Sequence, residues 1–276
     1  MSALPRLAHT TVGLFLLLPA FSVWPQCGIL SWDAYRSVPH SFRYVLRLEA
    51  PPGELLMFGA QHTNAPSHPE LGEIERLWRE FRPQVAFSEG GIRPPARSFD
   101  DAVTRFGEPG LLRLLADRDH VELRSLEPQE DEEAAALAPQ FQPGQVKLFY
   151  VLRNLSSGSA AGGRSLEERR RAALESARQR QRLTGPPSTL KELDAVAARL
   201  LPELKDWHSI SRSWLDPTRA DTFLNEIARR SSDYRNCYML PLVVHAVREG
   251  KRVFVVVGGT HVVVQEAALR SALRPR

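Results

Sequence analysis

The feature that most constrains this chain is an alternation of short apolar β runs with helix-length segments, in which each of four β runs closes on a histidine or glutamate. Phe42 to Leu48 alternates apolar and polar side chains, Pro51-Pro52-Gly53 turns the chain, and Leu55 to Phe58 is apolar again, which predicts a β-hairpin. The second strand ends at Gly59-Ala60-Gln61-His62. Ser67-His68-Pro69-Glu70 has the S-x-x-E form of a capping box, and Leu71, Ile74, Leu77, Trp78 and Phe81 share one face of the helix it would open. Pro83 stops that helix. Val85 to Phe87 predicts a strand ending at Ser88-Glu89-Gly90-Gly91, a helix spans about Ser98 to Ala116, and Val121 to Leu126 predicts a strand ending at Glu127-Pro128. Near the C-terminus Tyr238 to Arg248 reads as an apolar helix capped by Gly250, Arg252 to Val257 as a β-branched strand, and a final helix begins near Val263. This order predicts an α/β fold: a single domain with a central, largely parallel or mixed sheet flanked by helices.

The middle of the chain, about residues 140–220, has a different texture and predicts a helical insertion. Ser156 to Gly163 reads as a flexible linker, Arg164 to Arg182 as a polar helix opened by a capping box at Ser165-Leu166-Glu167-Glu168, and Leu190 to Leu201 as a second helix. We expect a lid on the sheet with no core of its own, or a surface hairpin without a functional role. Trp207 and Trp214 are expected to pack this region onto the sheet.

Residues 1–22 read as a secretory signal. Arg6 precedes an apolar run from Val12 to Leu18 that is too short to span a bilayer, and Ala20-Phe21-Ser22 has the small-x-small form of a cleavage site. The expected product is an exported domain of residues 23–276, periplasmic or extracellular, with no stable membrane span after cleavage. The same segment also reads as an uncleaved N-terminal anchor. Cys27 and Cys237 are the two cysteines; sequence alone leaves open a disulfide between them and a buried, unreacted Cys237.

Charge excludes less than it first suggests. The chain carries 36 Lys plus Arg against 32 Asp plus Glu, but residues 164–182 alone hold seven Arg and three Glu. The basic surplus is therefore one helix, which lacks the aromatic residues that stack on bases, so no nucleic-acid partner is expected.

Ligands of open α/β sheets bind beyond the carboxyl ends of the strands, and that is where His62, Glu89, Glu127 and His261 fall. Two imidazoles with one or two carboxylates suit zinc, manganese, cobalt or a similar divalent ion, with positions left for water. Gly59-Ala60-Gln61-His62 and Gly258-Gly259-Thr260-His261 share the form G-x-x-H, each directly after a β run. His245, in an apolar run, reads as a core or helix-edge histidine, His68 lies in a helix's first turn, and His120 and His208 occupy polar loops with no partner at ligand spacing. No P-loop, G-x-G-x-x-G or G-x-S-x-G is present.

These two motifs, with Pro83 to Glu89 and Tyr234-Arg235-Asn236 ahead of an apolar helix, occur in an order that resembles the TraB/PrgY/Tiki group, which is grouped with erythromycin-esterase-like and ChaN-like haem-uptake proteins. The resemblance covers about residues 55–91 and 226–270. It implies that His62 and His261 are the paired histidines, Glu89 the acid after the second strand and Arg235 the arginine upstream of the last strand. Tiki-like members look like divalent-metal peptidases; other branches have pheromone-shutdown or uptake roles. Asn236 and Gln84 depart from the group, standing where acids are common.

The expectation is a metal-dependent hydrolase acting on a peptide or small ester. His62, His261 and Glu89 would hold the metal, Glu127 or Glu89 would take the proton of the attacking water, and Arg235 would stabilise the oxyanion. For Arg235 a surface ion pair with Asp233 or Glu226 is the competing reading. The alternative for the whole protein is a metal- or haem-binding protein with the same histidines and no turnover.

Overall fold

The computed structural model describes residues 27–41, 43–157, 165–180, 183–204, 206–207 and 210–274. The predicted signal segment, Phe42, His208, most of the predicted linker and both ends of the predicted Arg-rich helix lie outside them.

The chain is α/β, as expected, and the sheet is mixed. Strands β1 (Tyr44–Ala50), β2 (Gly53–Ala60), β3 (Val85–Ser88), β4 (Glu122–Ser125) and β5 (Arg252–Gly258) are ordered β1-β2-β5-β3-β4. β1 and β2 form the antiparallel hairpin, while β2, β5, β3 and β4 are all parallel. β1 is the edge strand and buries alternate residues, whereas β3 is buried at every position and β5 at all but its first. That contrast follows from the layers: a central parallel strand is covered on both faces.

One face of the sheet is covered by α2 (Pro69–Phe81) and α3 (Phe99–Asp119). Leu71, Ile74, Trp78, Leu111 and Leu115 pack there against Leu56, Phe58, Phe254 and Val256. The other face carries α8 (Phe223–Arg248) and α9 (Gly259–Ala272), whose Met239, Val243, Val247, Val262 and Leu269 meet Leu55, Met57, Val253 and Val255.

Four local expectations change. The Ser67-Glu70 capping box does not form: His68 is the N-cap and makes no side-chain cap bond, because Glu70 turns inward and accepts from the Gln61 N–H. α3 is broken at Gly107, whose φ of 62° lies in the left-handed region. A side chain at Gly107 would also meet the Thr63 carbonyl oxygen at 2.9 Å. The last helix begins at Gly259 rather than near Val263, so His261 sits in its first turn. The helix before it is α8, which starts at Phe223 behind a Thr222-Asn225 capping box rather than at Tyr238.

The helical insertion does have a core. Around α4 (Glu130–Leu137), α5 (Pro143–Ser157), α6 (Leu166–Arg178) and α7 (Leu190–Leu200), the side chains of Leu137, Leu148, Leu152, Leu174, Leu193 and Trp207 form a buried cluster joined by Leu224 and Ile227 of α8. Trp207 and Trp214 therefore pack inside this cluster, not onto the sheet. The Ser165-Glu168 capping box is present as expected.

Cys27 and Cys237 are joined in a disulfide, with Cα atoms 5.5 Å apart, so Cys237 is not an unreacted buried thiol. The bond ties the segment before the short helix α1 (Trp32–Tyr35) to α8, and Trp32 and Tyr35 pack on Val263 and Val264 of α9. Among the described residues no helix is long and apolar enough to cross a membrane.

Candidate functional site

Strand order alone brings the site together. Along the sheet β2, β5, β3 and β4 are successive parallel neighbours, so the residues that follow their carboxyl ends, His62, His261, Glu89 and Glu127, emerge at one edge in that spatial order.

Glu89 is the hub. Its Oε1 accepts from Arg235 Nη2 at 2.9 Å and lies 3.4 Å from His261 Nε2. Its Oε2 accepts from the Gly258 N–H at 2.6 Å and lies 4.0 Å from His62 Nε2. A carboxylate has about four lone-pair sites, and here each has a facing neighbour. Burial alone would raise the Glu89 pKa, but the charges of His261 and Arg235 outweigh it and hold the carboxyl well below its usual range.

Both imidazoles are oriented from behind. His261 Nδ1 lies 2.7 Å from Asn236 Oδ1, which also accepts from Gln265 Nε2 at 2.8 Å. An amide oxygen only accepts, so His261 Nδ1 donates to Asn236 and Nε2 is the atom left facing Glu89. His261 is buried on the first turn of α9. His62, in contrast, is half exposed, and its φ of 63° lets the chain turn at the end of β2. Its Nδ1 lies 3.7 Å from Glu108 Oε2. That contact raises the His62 pKa against the opposing effect of burial, with the Glu89 charge adding to it.

Glu108 and Glu70 are the residues that sequence reasoning missed. Glu108 is delivered by the break at Gly107, and its Oε1 accepts from the Thr63 N–H at 2.6 Å. Glu70 is fully buried beside it. Burial, then the hydrogen bond with Glu108, pushes the Glu70 carboxyl up to about 7, with the Gln61 N–H working against them. Glu108 is lowered: burial opposes its charge, and hydrogen bonds from His62, Glu70 and the Thr63 N–H prevail. The two neighbouring carboxyls are thus shifted in opposite directions, Glu70 up and Glu108 down. Neither has a motif of its own: Glu70 falls in the S-x-x-E capping pattern, and Glu108 lies inside the helix expected over about Ser98 to Ala116.

Arg235 is buried, not a surface pair with Asp233 or Glu226. Its Nη2 donates to Glu89 and, at 2.7 Å, to Glu127 Oε1, and its Nε–H has no acceptor among the described residues. The two carboxylates outweigh burial and raise its pKa. Glu127 also accepts from the Gly90 N–H at 2.6 Å. It is thus brought to Arg235 rather than to either imidazole. Gln84 lies away from the site, where its side-chain oxygen accepts from the Arg252 N–H. His245 is exposed on α8 beside Glu249, and His120 is the left-handed C-cap of α3.

The edge opens on two sides of His62. A crevice of about 340 Å³ runs between His62, Arg235 and His261 on the sheet side and Phe149, Arg153 and Arg212 on the insertion side. A wider recess of about 840 Å³ lies toward Tyr35, His40 and Asp216.

The donors are chemically those of a divalent-metal site: two imidazole Nε2 atoms with Nδ1 held from behind, aimed at one carboxylate. They are not drawn together, since no group of three His, Cys, Asp or Glu among the described residues is placed to hold a metal ion. The chain matches no family model, no curated protein and no solved structure.

Proposed function

We propose that the protein is a hydrolase of peptide or ester bonds whose reaction takes place in the crevice between His62, His261 and Arg235, with a divalent metal ion held by His62, His261 and Glu89. The observation that supports this is the facing of His261 Nε2 and His62 Nε2 onto the two oxygens of Glu89, at 3.4 and 4.0 Å. In a neutral imidazole protonated at Nδ1, each contact would set a nitrogen lone pair against a carboxylate, which repels unless positive charge lies between them. A divalent ion is one such charge and, when bound, supplies a water of lowered pKa and polarises a carbonyl.

The chain's own contribution is orientation and charge. Asn236 fixes the tautomer of His261, and Glu108 stands behind His62 in the same role. Arg235 and the Gly258 N–H hold Glu89 by both oxygens, and its low pKa suits a permanent carboxylate better than a proton acceptor near neutral pH. Arg235 lines the crevice, where its charge stabilises an oxyanion formed from the substrate carbonyl. Glu127 keeps Arg235 in place. Export fits the Cys27–Cys237 bond, since disulfides persist in oxidising compartments.

A second reading has a specific observation behind it. His62 is half exposed, and Glu108 favours its charged form. The positive charge between imidazole and Glu89 is then a proton, and His62 is the acid–base group of a metal-free hydrolase.

Protein purified without added metal is assayed for bound metal and for hydrolysis of peptide and ester libraries, before and after chelation, beside His261→Ala. Stoichiometric metal with chelator-sensitive turnover that His261→Ala abolishes is the expected result. Turnover that survives chelation overturns the metal and leaves the His62 reading. Bound metal with no turnover on any library member overturns the hydrolase and makes the protein a binder.

A further inference from the structure

The crevice has an unusual charge balance. Its lining contains three arginines, Arg153, Arg212 and Arg235, together with His62 and His261, several hydroxyls, and no aspartate or glutamate. Arg235 is neutralised from behind by Glu89 and Glu127. On the opposite wall Arg153, on α5, pairs with Glu133 at 3.5 Å and donates to Ser231 Oγ at 3.4 Å. Arg212, in the short 3-10 turn Arg212–Leu215, is exposed and has no carboxylate within ion-pair distance among the described residues. Ser156 and Ser232, on the same lining, add hydroxyl donors.

Guanidinium groups present forked donors that match oxyanions with two or more oxygens, and an arginine left without a counter-ion on a concave wall is a site for one. We propose that Arg212 and Arg153 bind an anionic substituent of the substrate, a carboxylate or a phosphate, and so restrict the hydrolase to acidic substrates. This rests on the hydrolytic reading for its word substrate, but the anion site itself does not. It also assigns the helical insertion a function: it carries the recognition arginines, while the sheet edge carries the reacting groups. Carboxylate and phosphate share this chemistry, so the experiment separates them.

Two measurements are made on the full chain, with Arg212→Gln, Arg153→Gln and, as a control that removes the same charge from the exposed face of α6, Arg171→Gln. The first is calorimetric binding of inorganic phosphate and of succinate, which needs no turnover. We expect Arg212→Gln to weaken binding of one of the two about tenfold, the scale of one lost charge-assisted hydrogen bond, and Arg171→Gln to leave it unchanged. The second is the ratio of kcat/KM for peptides with a free C-terminal carboxylate to that for their amides, and for a phosphorylated ester to its dephosphorylated form. The ratio that exceeds one names the anion, and Arg212→Gln lowers it mainly through KM. Phosphate and succinate binding that is absent, or equal in wild type, Arg212→Gln and Arg171→Gln, overturns the proposal. If hydrolysis proceeds with equal acid and amide rates and no phosphate preference, the anion site falls while the hydrolase stands. If no substrate is turned over yet Arg212→Gln abolishes anion binding, the hydrolase falls and the anion site stands.

Discussion

Asn236 Oδ1 lies 2.7 Å from His261 Nδ1, deep in α8 and one residue before the Cys237 that ties this helix to the N-terminal segment. In the proposed metal site the amide oxygen would do the work of the carboxylate that usually stands behind a ligand histidine, without adding a negative charge. Replacing Asn236 by Leu should lower metal affinity about 10- to 100-fold, the range for loss of such a partner. Asn236→Asp should hold or raise it. Competition with a coloured chelator reads both, and equal affinity in wild type and Asn236→Leu would show that the tautomer is set elsewhere.

Gly258 offers a more selective test. A Cβ there would stand 2.7 Å from His62 Nε2 and 3.5 Å from Glu89 Oε2, while its φ of −60° suits alanine. The half-exposed imidazole can swing away, so the fold should tolerate the change. Gly258→Ala is expected to cut kcat/KM about 100-fold by displacing a reacting group by an ångström or more, with an unaltered denaturation midpoint. Full activity in this variant would remove His62 from the reaction.

The Arg235 pairs are buried, and breaking a buried pair leaves an uncompensated charge. Arg235→Met should destabilise the protein by about 3–5 kcal/mol, and adding Glu89→Gln should recover part of that loss, a coupling that urea denaturation of the double-mutant cycle measures. The folded-state pKa of Glu89 is depressed. Its contribution is therefore complete above the ordinary value of 4.5 and is lost as pH falls through the folded value. Glu89→Gln should flatten the acid limb of the stability profile.

Glu70 works in the opposite sense. Its carboxyl is raised from 4.5 to about 7, so between those values the unfolded chain releases a proton that the folded chain keeps. Stability from this group falls as pH rises through that window and stays low above it. Glu70→Gln, which mimics the protonated acid toward both Gln61 and Glu108, should leave stability unchanged at pH 4 and raise it by about 1–3 kcal/mol at pH 8. Urea midpoints across that range check it; a variant less stable than wild type at pH 8 would show that the fold favours the Glu70 carboxylate and does not raise its pKa.

Much of this was legible because it is local. The β runs at Leu55, Val85 and Arg252 and the Ser165 capping box follow from periodicity and turn chemistry within a few residues. The hairpin does too. The convergence of His62, Glu89, Glu127 and His261 was legible as well, given parallel strands, because strand ends in such a sheet share one edge. Glu70 and Glu108 were hidden. Glu70 is a cap by pattern, and only the approach of Thr63 to Gly107 brings Glu108 to Thr63 and His62.

The sequence by itself therefore determined the α/β class, the placing of the two histidines and Glu89 beyond the strand ends, and a separate helical segment in the middle of the chain. Tertiary structure alone decided that β5 inserts between β2 and β3, that Cys27 reaches Cys237, that Arg235 is buried on Glu89, and that the insertion has its own core and brings Arg153 and Arg212 to the crevice. The physical reason is range. Strand and helix periodicity is set by neighbours within a turn or a pleat, whereas each of those contacts joins residues far apart in the chain whose meeting depends on how the layers pack.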